Sequence, residues 1–551
     1  MFKSMARKSA LILLGMVMLA GCTNATNTGN TAGNTSNTSN AVESPAASAP
    51  SANESTAATA TPDLEHIRIG TNQFTKGLEA TRTSNADAQL QYNIYDTLIL
   101  RDPHSEGLEF LPGLATSWKQ LEDKTWEFKL RENVQFHDGT IMDAEDVAFS
   151  LNRIFKEEEP RFSNAYGRYF NTFDRVEVID PLTVHIHMLK ADPLVEVFLS
   201  DLSGAITSKE YIEEVGADQA DLMPVGAGPY KVVAFTPGES AVLERFESYW
   251  GERAPVGKIS YTYIPEIASR STAVANGEID IAIGIPPEQE DVLSGQSSVK
   301  LIDAAYPLFH VLVLNMNNDV MQNKKLRQAL DLAVDRQALV SALWRDKAIV
   351  PTSAQFPDYG EMYLDDVKTV EYNVEKAKQL VKESGYDGTP IEVTIRSDYY
   401  TYGDLAVQAM IDMWAQIGVT ATLTQVPDVN QIEDSKIMIR SWSNPLYYPD
   451  PMGLIDASWS DTVWVSERGF WDPQDPEWDT NMEIARFSLD KQARKDAIRK
   501  LEAIMKDEAG FILMYQPFEY IALNSSLEWQ WPKNYRAYTI SLRAGEVALT
   551  N

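Results

Sequence analysis

A chain of 551 residues with 44% hydrophobic content and a formal charge of −31 is long enough for two or three domains with sizeable cores. An acidic surface of that size repels nucleic acid and anionic lipid head groups, which excludes nucleic-acid binding and leaves a solvated protein. The single cysteine, Cys22, leaves no disulfide and no thiolate zinc site.

The chain opens with Lys3, Arg7 and Lys8 ahead of an apolar run, residues 10–20 (ALILLGMVMLA). As a helix that run rises only about 16 Å, short of the roughly 30 Å hydrocarbon core, so it reads as a signal peptide over 1–21 and not as a permanent span. Leu19-Ala20-Gly21-Cys22 resembles a bacterial lipobox. The resemblance implies that Cys22 is lipid-modified and anchors the protein extracytoplasmically, at the outer face of the cytoplasmic membrane or in the periplasm. Residues 23–62 are almost wholly Asn, Thr, Ser, Ala, Gly and Pro, with Val42 the one large aliphatic. Such a segment cannot bury enough surface to offset its ordering entropy, and 22–62 reads as a lipidated cysteine on a disordered stalk.

Globular composition begins near residue 63. Residues 67–70 (IRIG) start as a strand, and residues 86–95 follow as a helix. A β-rich section comes next. Trp126, Phe128 and Leu130 alternate with Glu127, Lys129 and Arg131, a strand with one buried face. Residues 176–179 and 183–187 flank Asp180-Pro181 and predict a hairpin. Between these strands Asp143 opens a helix as its N-cap, with Asp146 in the capping-box position. Ala144, Val147, Ala148, Leu151 and Ile154 form its apolar stripe. Farther on, Asn373 starts a helix that ends before Gly385. Ile391, Val393 and Ile395 then form a strand, a helix runs from near Asp404 to Gly418, and a second strand covers residues 419–423. Strand, helix and strand at this length predict a βαβ unit in a parallel sheet.

Signatures of catalysis are missing from the sequence. It contains no G-x-S-x-G, H-E-x-x-H, Walker-type or C-x-x-C motif. The Gly226-Ala227-Gly228-Pro229-Tyr230 run lacks a third glycine, and Pro229 removes an amide that phosphate cradling needs, so it reads as a turn. His185 and His187 share one strand face opposite Val184 and Ile186, with no carboxylate at a metal-ligand spacing. We therefore expect no catalytic residues, no metal and no cofactor.

Residues 114–154 (LATSWKQLEDKTWEFKLRENVQFHDGTIMDAEDVAFSLNRI) resemble the signature of the extracytoplasmic solute-binding proteins of peptide and nickel ABC importers, the family 5 or oligopeptide-binding class. The matched elements include Ser117-Trp118, Phe136-His137-Asp138-Gly139 and Ala144-Glu145-Asp146-Val147. Tyr95-Asp96-Thr97-Leu98, Tyr249-Trp250-Gly251, Gly277-Glu278-Ile279-Asp280, Leu326-Arg327-Gln328-Ala329-Leu330 and Val334-Asp335-Arg336 follow the family's order. The resemblance implies an α/β periplasmic-binding-protein-like fold of two lobes and a hinge, with a β-rich domain inserted in lobe I. Lobe I is expected over 63–100, 225–310 and 512–551, the insertion over 101–224, and lobe II over 311–511. His137-Asp138-Gly139, Arg327 and Asp335 are expected to serve the scaffold.

In peptide-binding members a lobe II loop carries a Gly-Trp followed by an acid that meets the peptide's α-amino group. Here residues 440–451 (RSWSNPLYYPDP) have no carboxylate until Asp450, and the loop is two residues longer than the family's usual spacing. Burying an ammonium without an acid costs several kcal/mol, so Asp450 is the candidate replacement, with helix capping as its other role. Trp442, Tyr447 and Tyr448 are candidates to stack on ligand. Asn72 and Phe74 are the candidates from the opposing lobe, and Tyr399, with Tyr400 and Tyr402, follows a strand end. The expected function is that of a monomeric, non-catalytic lipoprotein. It captures a small peptide or peptide-like ligand for the permease transmembrane subunits of an ABC importer. A nickel chelate or other non-peptide solute is the alternative within the class, and a surface-anchored hydrolase the alternative outside it.

Overall fold

The computed structural model describes residues 64–82, 85–102, 104–105, 108–122, 124–155, 169–397, 400–530 and 539–549. Cys22, the leader and the stalk lie outside the described residues, as does Tyr399.

Three larger sheets organise the described residues. A seven-stranded sheet has the order Val299–Ala305, Phe518–Asn524, Ile281–Ile285, His66–Thr71, Lys258–Tyr263, Ser240–Arg245 and Tyr230–Thr236. His66–Thr71 runs parallel to both its neighbours, and the flanking strands are antiparallel. A five-stranded sheet has the order Ala421–Val426, Ile391–Arg396, Ile439–Pro445, Leu308–Leu314 and Phe511–Tyr515. A four-stranded antiparallel sheet is built from Ala115–Glu122, Thr125–Leu130, Thr183–Met188 and Phe173–Asp180.

The chain passes directly between the two α/β sheets twice, from Ala305 to Leu308 and from Tyr515 to Phe518. Gln516 Nε2 donates to the Tyr306 carbonyl at 2.9 Å and fastens the two crossings together. Strand polarity fixes what this crossing edge contains. His66–Thr71, Lys258–Tyr263 and Ile281–Ile285 end there in one sheet. Ile391–Arg396, Ala421–Val426 and Ile439–Pro445 end there in the other. Both lobes thus present the carboxyl ends of parallel strands to the space between them, where ligands of open α/β sheets bind.

Local chemistry explains the elements. Asp143 Oδ1 accepts the Glu145 N–H at 2.8 Å, and Asp146 Oδ2 accepts the Asp143 N–H at 3.0 Å. This reciprocal box starts the Ala144–Phe155 helix. Asn373 accepts from Lys376 N and opens Val374–Ser384, and Gly385 closes it at φ +71°. Ile391–Arg396, the Gly403–Gln416 helix and Ala421–Val426 form the expected parallel βαβ unit. The second strand begins two residues later than its apolar pattern suggests, because Gly418 at φ +85° is still reversing the chain and Val419 packs into the core.

The family-signature residues meet one another in space. Asp96 receives the Trp250 indole N–H at 2.7 Å and faces Arg543 at 2.7 Å. His137 clamps the 226–228 turn: its Nδ1 accepts from Gly226 N at 3.3 Å and its Nε2 faces the Gly228 carbonyl at 3.0 Å. Gly226 and Gly228 press on the Ile94 backbone, where any Cβ would sit within 2.2 and 2.6 Å of it. His185 and His187 meet Glu127 at 3.4 Å and Glu177 at 2.6 Å on the polar face of their sheet. Arg327 donates to the Met321 and Glu508 carbonyls, and Asp335 caps Arg336–Trp344.

Burial lowers the His137 pKa to about 4 and that of His310 to about 3. Both rings fold neutral, so the unfolded chain binds more protons below its own histidine pKa of about 6.5. Their stabilising contribution is full above about pH 6.5 and is lost as pH falls toward the folded values. Thermal denaturation across pH should show this loss, and His137→Gln should make it shallower. At neutral pH the same variant should sacrifice about 1–2 kcal/mol of stability through the clamp's hydrogen bonds.

Candidate functional site

The Ile439–Pro445 strand is the centre of the candidate site. Alternation puts Arg440, Trp442 and Asn444 on one face and Ser441 and Ser443 on the other. Trp442 stands opposite Val311 and Ser443 opposite His310. On its other side, the strand pairs with Ile391–Arg396 at Ile439 and Arg440. Past that point lies a cavity of about 350 Å³ bounded by Arg396, Asp428, Arg440, Trp442, Trp464 and Arg468. The Arg440 guanidinium lies 4.5 Å from the Trp464 ring centre, and Arg468 lies over the same ring at 5.4 Å. Arg468 also forks onto Asp434, with Nε donating at 2.7 Å, and this partner holds its pKa above the ordinary value. A smaller cavity of about 90 Å³ shares Arg396 and Ser441 and adds Tyr400, Asp404 and Gln425. Ser441 is 5% exposed, and its hydroxyl has no hydrogen-bond partner among the described residues.

The residues singled out from sequence fall into separate settings. Trp442 borders the large cavity, half-buried, edge-on to Trp459 at 5.5 Å and Trp464 at 5.1 Å. Tyr448 is buried between Tyr169 at 5.3 Å and Phe198 at 5.0 Å, and burial drives its hydroxyl pKa well up. Half-buried Tyr447 tilts against Tyr169 at 6.2 Å. Beside these rings Arg486 donates to Asp192 at 2.7 and 2.9 Å, both side chains at most 2% exposed. The tyrosine pair therefore forms a seam with the 169–198 segment.

Asp450 is committed to the scaffold. Its Oδ1 accepts the Met452 N–H at 3.0 Å and the Arg494 Nη2 hydrogen at 2.7 Å, and Asp450 and Arg494 are 3% and 5% exposed. It caps a helix and balances a buried guanidinium, so the idea that it replaces the amine-binding acid loses its open carboxylate. Asn72 and Phe74 lie at the crossing edge of the seven-stranded sheet. The Asn72 amide presses on Gly284, where a Cβ would lie 2.3 Å from Nδ2. Asn72 Oδ1 is buried with no hydrogen-bond partner among the described residues. Phe74 stacks on Phe235 at 6.4 Å. Tyr402, at φ +59°, donates its hydroxyl to Glu288, in the Pro287–Gln289 turn that follows the Ile281–Ile285 strand.

The three cavity arginines escaped the sequence reading. Arg396 ends one strand, Arg440 is the second residue of another and Arg468 follows a short helix. Only tertiary structure unites them. Arg440 stands two residues before Trp442 on the same strand face, which is the one local signal available. No group of three or more His, Cys, Asp or Glu is placed to hold a metal ion among the described residues. No helix among them is long and apolar enough to cross a membrane.

Residues 109–466 match the model for bacterial extracellular solute-binding proteins, family 5 Middle, and the chain belongs to this family. A dipeptide-binding protein of Escherichia coli (strain K12) is 24% identical over 438 residues, covering 74% of this chain and 81% of the relative. Among solved structures, the periplasmic binding protein DppA from Helicobacter pylori in complex with peptide STSA superposes with a TM-score of 0.77. It is 20% identical and covers 88% of this chain and 98% of that one. NikZ from Campylobacter jejuni in complex with Ni(L-His) superposes with a TM-score of 0.75 at 20% identity, covering 87% and 98%. The fold is that of the two-lobe periplasmic binding proteins.

Asp450→Asn should leave the Arg494 charge buried without its partner and cost about 3–5 kcal/mol. Urea denaturation would show it as a lower midpoint with an unchanged slope.

Proposed function

We propose that this family 5 protein captures a peptide or peptide-like solute between its lobes for the permease of an ABC importer, as a lipoprotein tethered through Cys22. The observation that carries the reading is the arginine- and tryptophan-bounded cavity at the open end of the Ile439–Pro445 strand. Arg440 and Arg396 offer charge-assisted hydrogen bonds to a carboxylate. Trp442 and Trp464 offer flat apolar faces to the atoms beside it. A peptide supplies both features, with an extended backbone that suits the strand edge. Similarity to a dipeptide-binding protein and to a peptide complex supports the same ligand class.

Capture by such a protein is a population shift. Ligand that touches both lobes binds the closed arrangement better, and closure presents the surface a permease reads. The two crossings beside Gln516 and Tyr306 supply the hinge. The expected lobe I bounds at 310 and 512 fall inside Leu308–Leu314 and Phe511–Tyr515, strands of the five-stranded sheet, so we place the division between the lobes at the two crossings instead. A monomer is sufficient for this function.

Native mass spectrometry of gently purified protein should reveal retained peptide. A retained metal chelate would reassign the ligand, and turnover of added peptides or glycans would replace binding with hydrolysis. Arg440→Gln should weaken peptides with a free carboxylate roughly ten- to a hundredfold, and their carboxamides far less. Equal losses for both would remove Arg440 from ligand contact. In cells of the source bacterium, Cys22→Ser should abolish incorporation of labelled fatty acid and release the protein from the membrane fraction.

A further inference from the structure

The Trp442 loop supplies no open carboxylate, since Asp450 is held by Arg494 and the Met452 amide. A ligand with a positive end needs an acid from another part of the cleft. Glu519 is the second residue of the Phe518–Asn524 strand, just after the second crossing, at the edge where the parallel strands of its sheet end. It is 7% exposed; its Oε2 makes no hydrogen bond of ordinary length and angle among the described residues, and the Tyr306 hydroxyl is the donor nearest its carboxyl. The neighbouring cation does not fill that vacancy. Arg270, 1% exposed, donates its terminal hydrogens to the carbonyls of Ile264 at 2.5 Å, Pro265 at 3.0 Å and Gly284 at 2.5 Å. Its Nη donors are spent on backbone and its buried Nε has no hydrogen-bond partner among the described residues, so it attracts Glu519 through space without a hydrogen bond to it. Gly284 also packs on the Asn72 amide, whose buried Oδ1 is a second acceptor without a partner. Two buried acceptors thus stand near the same strand ends, one of them an acid.

We propose that Glu519, assisted by Asn72 Oδ1, is the anchor for the ligand's ammonium group, from the lobe opposite the arginine-rich cavity. This rests on the peptide reading above and sharpens it: the ligand is zwitterionic, with its amine at the seven-stranded sheet and its carboxylate at the five-stranded one. An ammonium brings three donors and a full positive charge to an acid that burial otherwise disfavours. Burial lifts the Glu519 pKa to about 7, countered by Arg270 and the Tyr306 hydroxyl and reinforced by Glu288. These three groups face it from the Ile267–Ala275 helix, the crossing segment and the Pro287–Gln289 turn. Binding of an ammonium therefore favours loss of the Glu519 proton.

Calorimetry with short alanine peptides and their N-acetylated counterparts tests the assignment. The wild-type protein should bind the free-amine peptides roughly tenfold or more tighter than the acetylated ones. That advantage should grow as pH rises from about 5.5 to about 7, while the peptide amine is still charged, and the acetylated series should stay flat. Glu519→Gln, which keeps size and shape, should erase both the advantage and its pH dependence. Retention of the advantage in Glu519→Gln would overturn the assignment, as would equal wild-type affinity for both series, with peptide capture left standing. Failure of the wild-type protein to bind either series would overturn the peptide reading and this assignment together. The wild-type pH profiles decide the matter even where the variant does not fold.

Discussion

Two short passages of chain, Ala305 to Leu308 and Tyr515 to Phe518, constrain everything this molecule does. Each must leave one sheet and enter the next within a few residues, so both sheets bring the same edge to the crossing. Strand polarity then puts the carboxyl ends of six parallel strands in the space between, along with the loops that follow them. The Gln516–Tyr306 hydrogen bond makes the two passages one mechanical element. A ligand site between the lobes follows from the topology before any side chain is considered.

The side chains divide the labour between the lobes. The five-stranded lobe contributes guanidinium and indole groups around one cavity, and the seven-stranded lobe contributes buried oxygen acceptors. Away from both, Tyr448 packs between Tyr169 and Phe198 beside the Arg486–Asp192 pair. That pair is fully desolvated, and loss of either partner strands the other at a cost of about 3–5 kcal/mol. The aromatic loop that looked like ligand surface is thus partly structural: Trp442 reaches the cavity and Tyr448 belongs to the seam.

Elements with local causes were legible in the sequence. The Asp143–Asp146 box, the Asn373 and Gly385 ends and the alternating 391–396 strand each encode their conformation within a few residues. The family motifs announced the fold, and their meeting in space shows why they occur together: His137 holds Gly226 and Gly228, and Asp96 holds Trp250. The site was less legible because its parts are distant in sequence. Asp450 looks available until Arg494 arrives from a helix 44 residues on. Arg396, Arg440 and Arg468 share nothing local, and Glu519 sits in an apolar strand with no motif to mark it. Cys22 and Tyr399 fall outside the described residues, so the anchor and one candidate contact rest on sequence alone.

The arginine cavity has a consequence for kinetics as well as affinity. A chain carrying −31 presents a repulsive field to anions at every distance within a screening length of about 8 Å. Its cavity guanidinium groups, from buried Arg440 to Arg468 held by Asp434, act only at contact. Encounter therefore favours solutes that lead with a positive end, and retention favours those that trail a negative one. Distance sorts the two tests in time. A dipolar solute is turned as it arrives, and rising ionic strength slows its capture while leaving its residence largely unchanged.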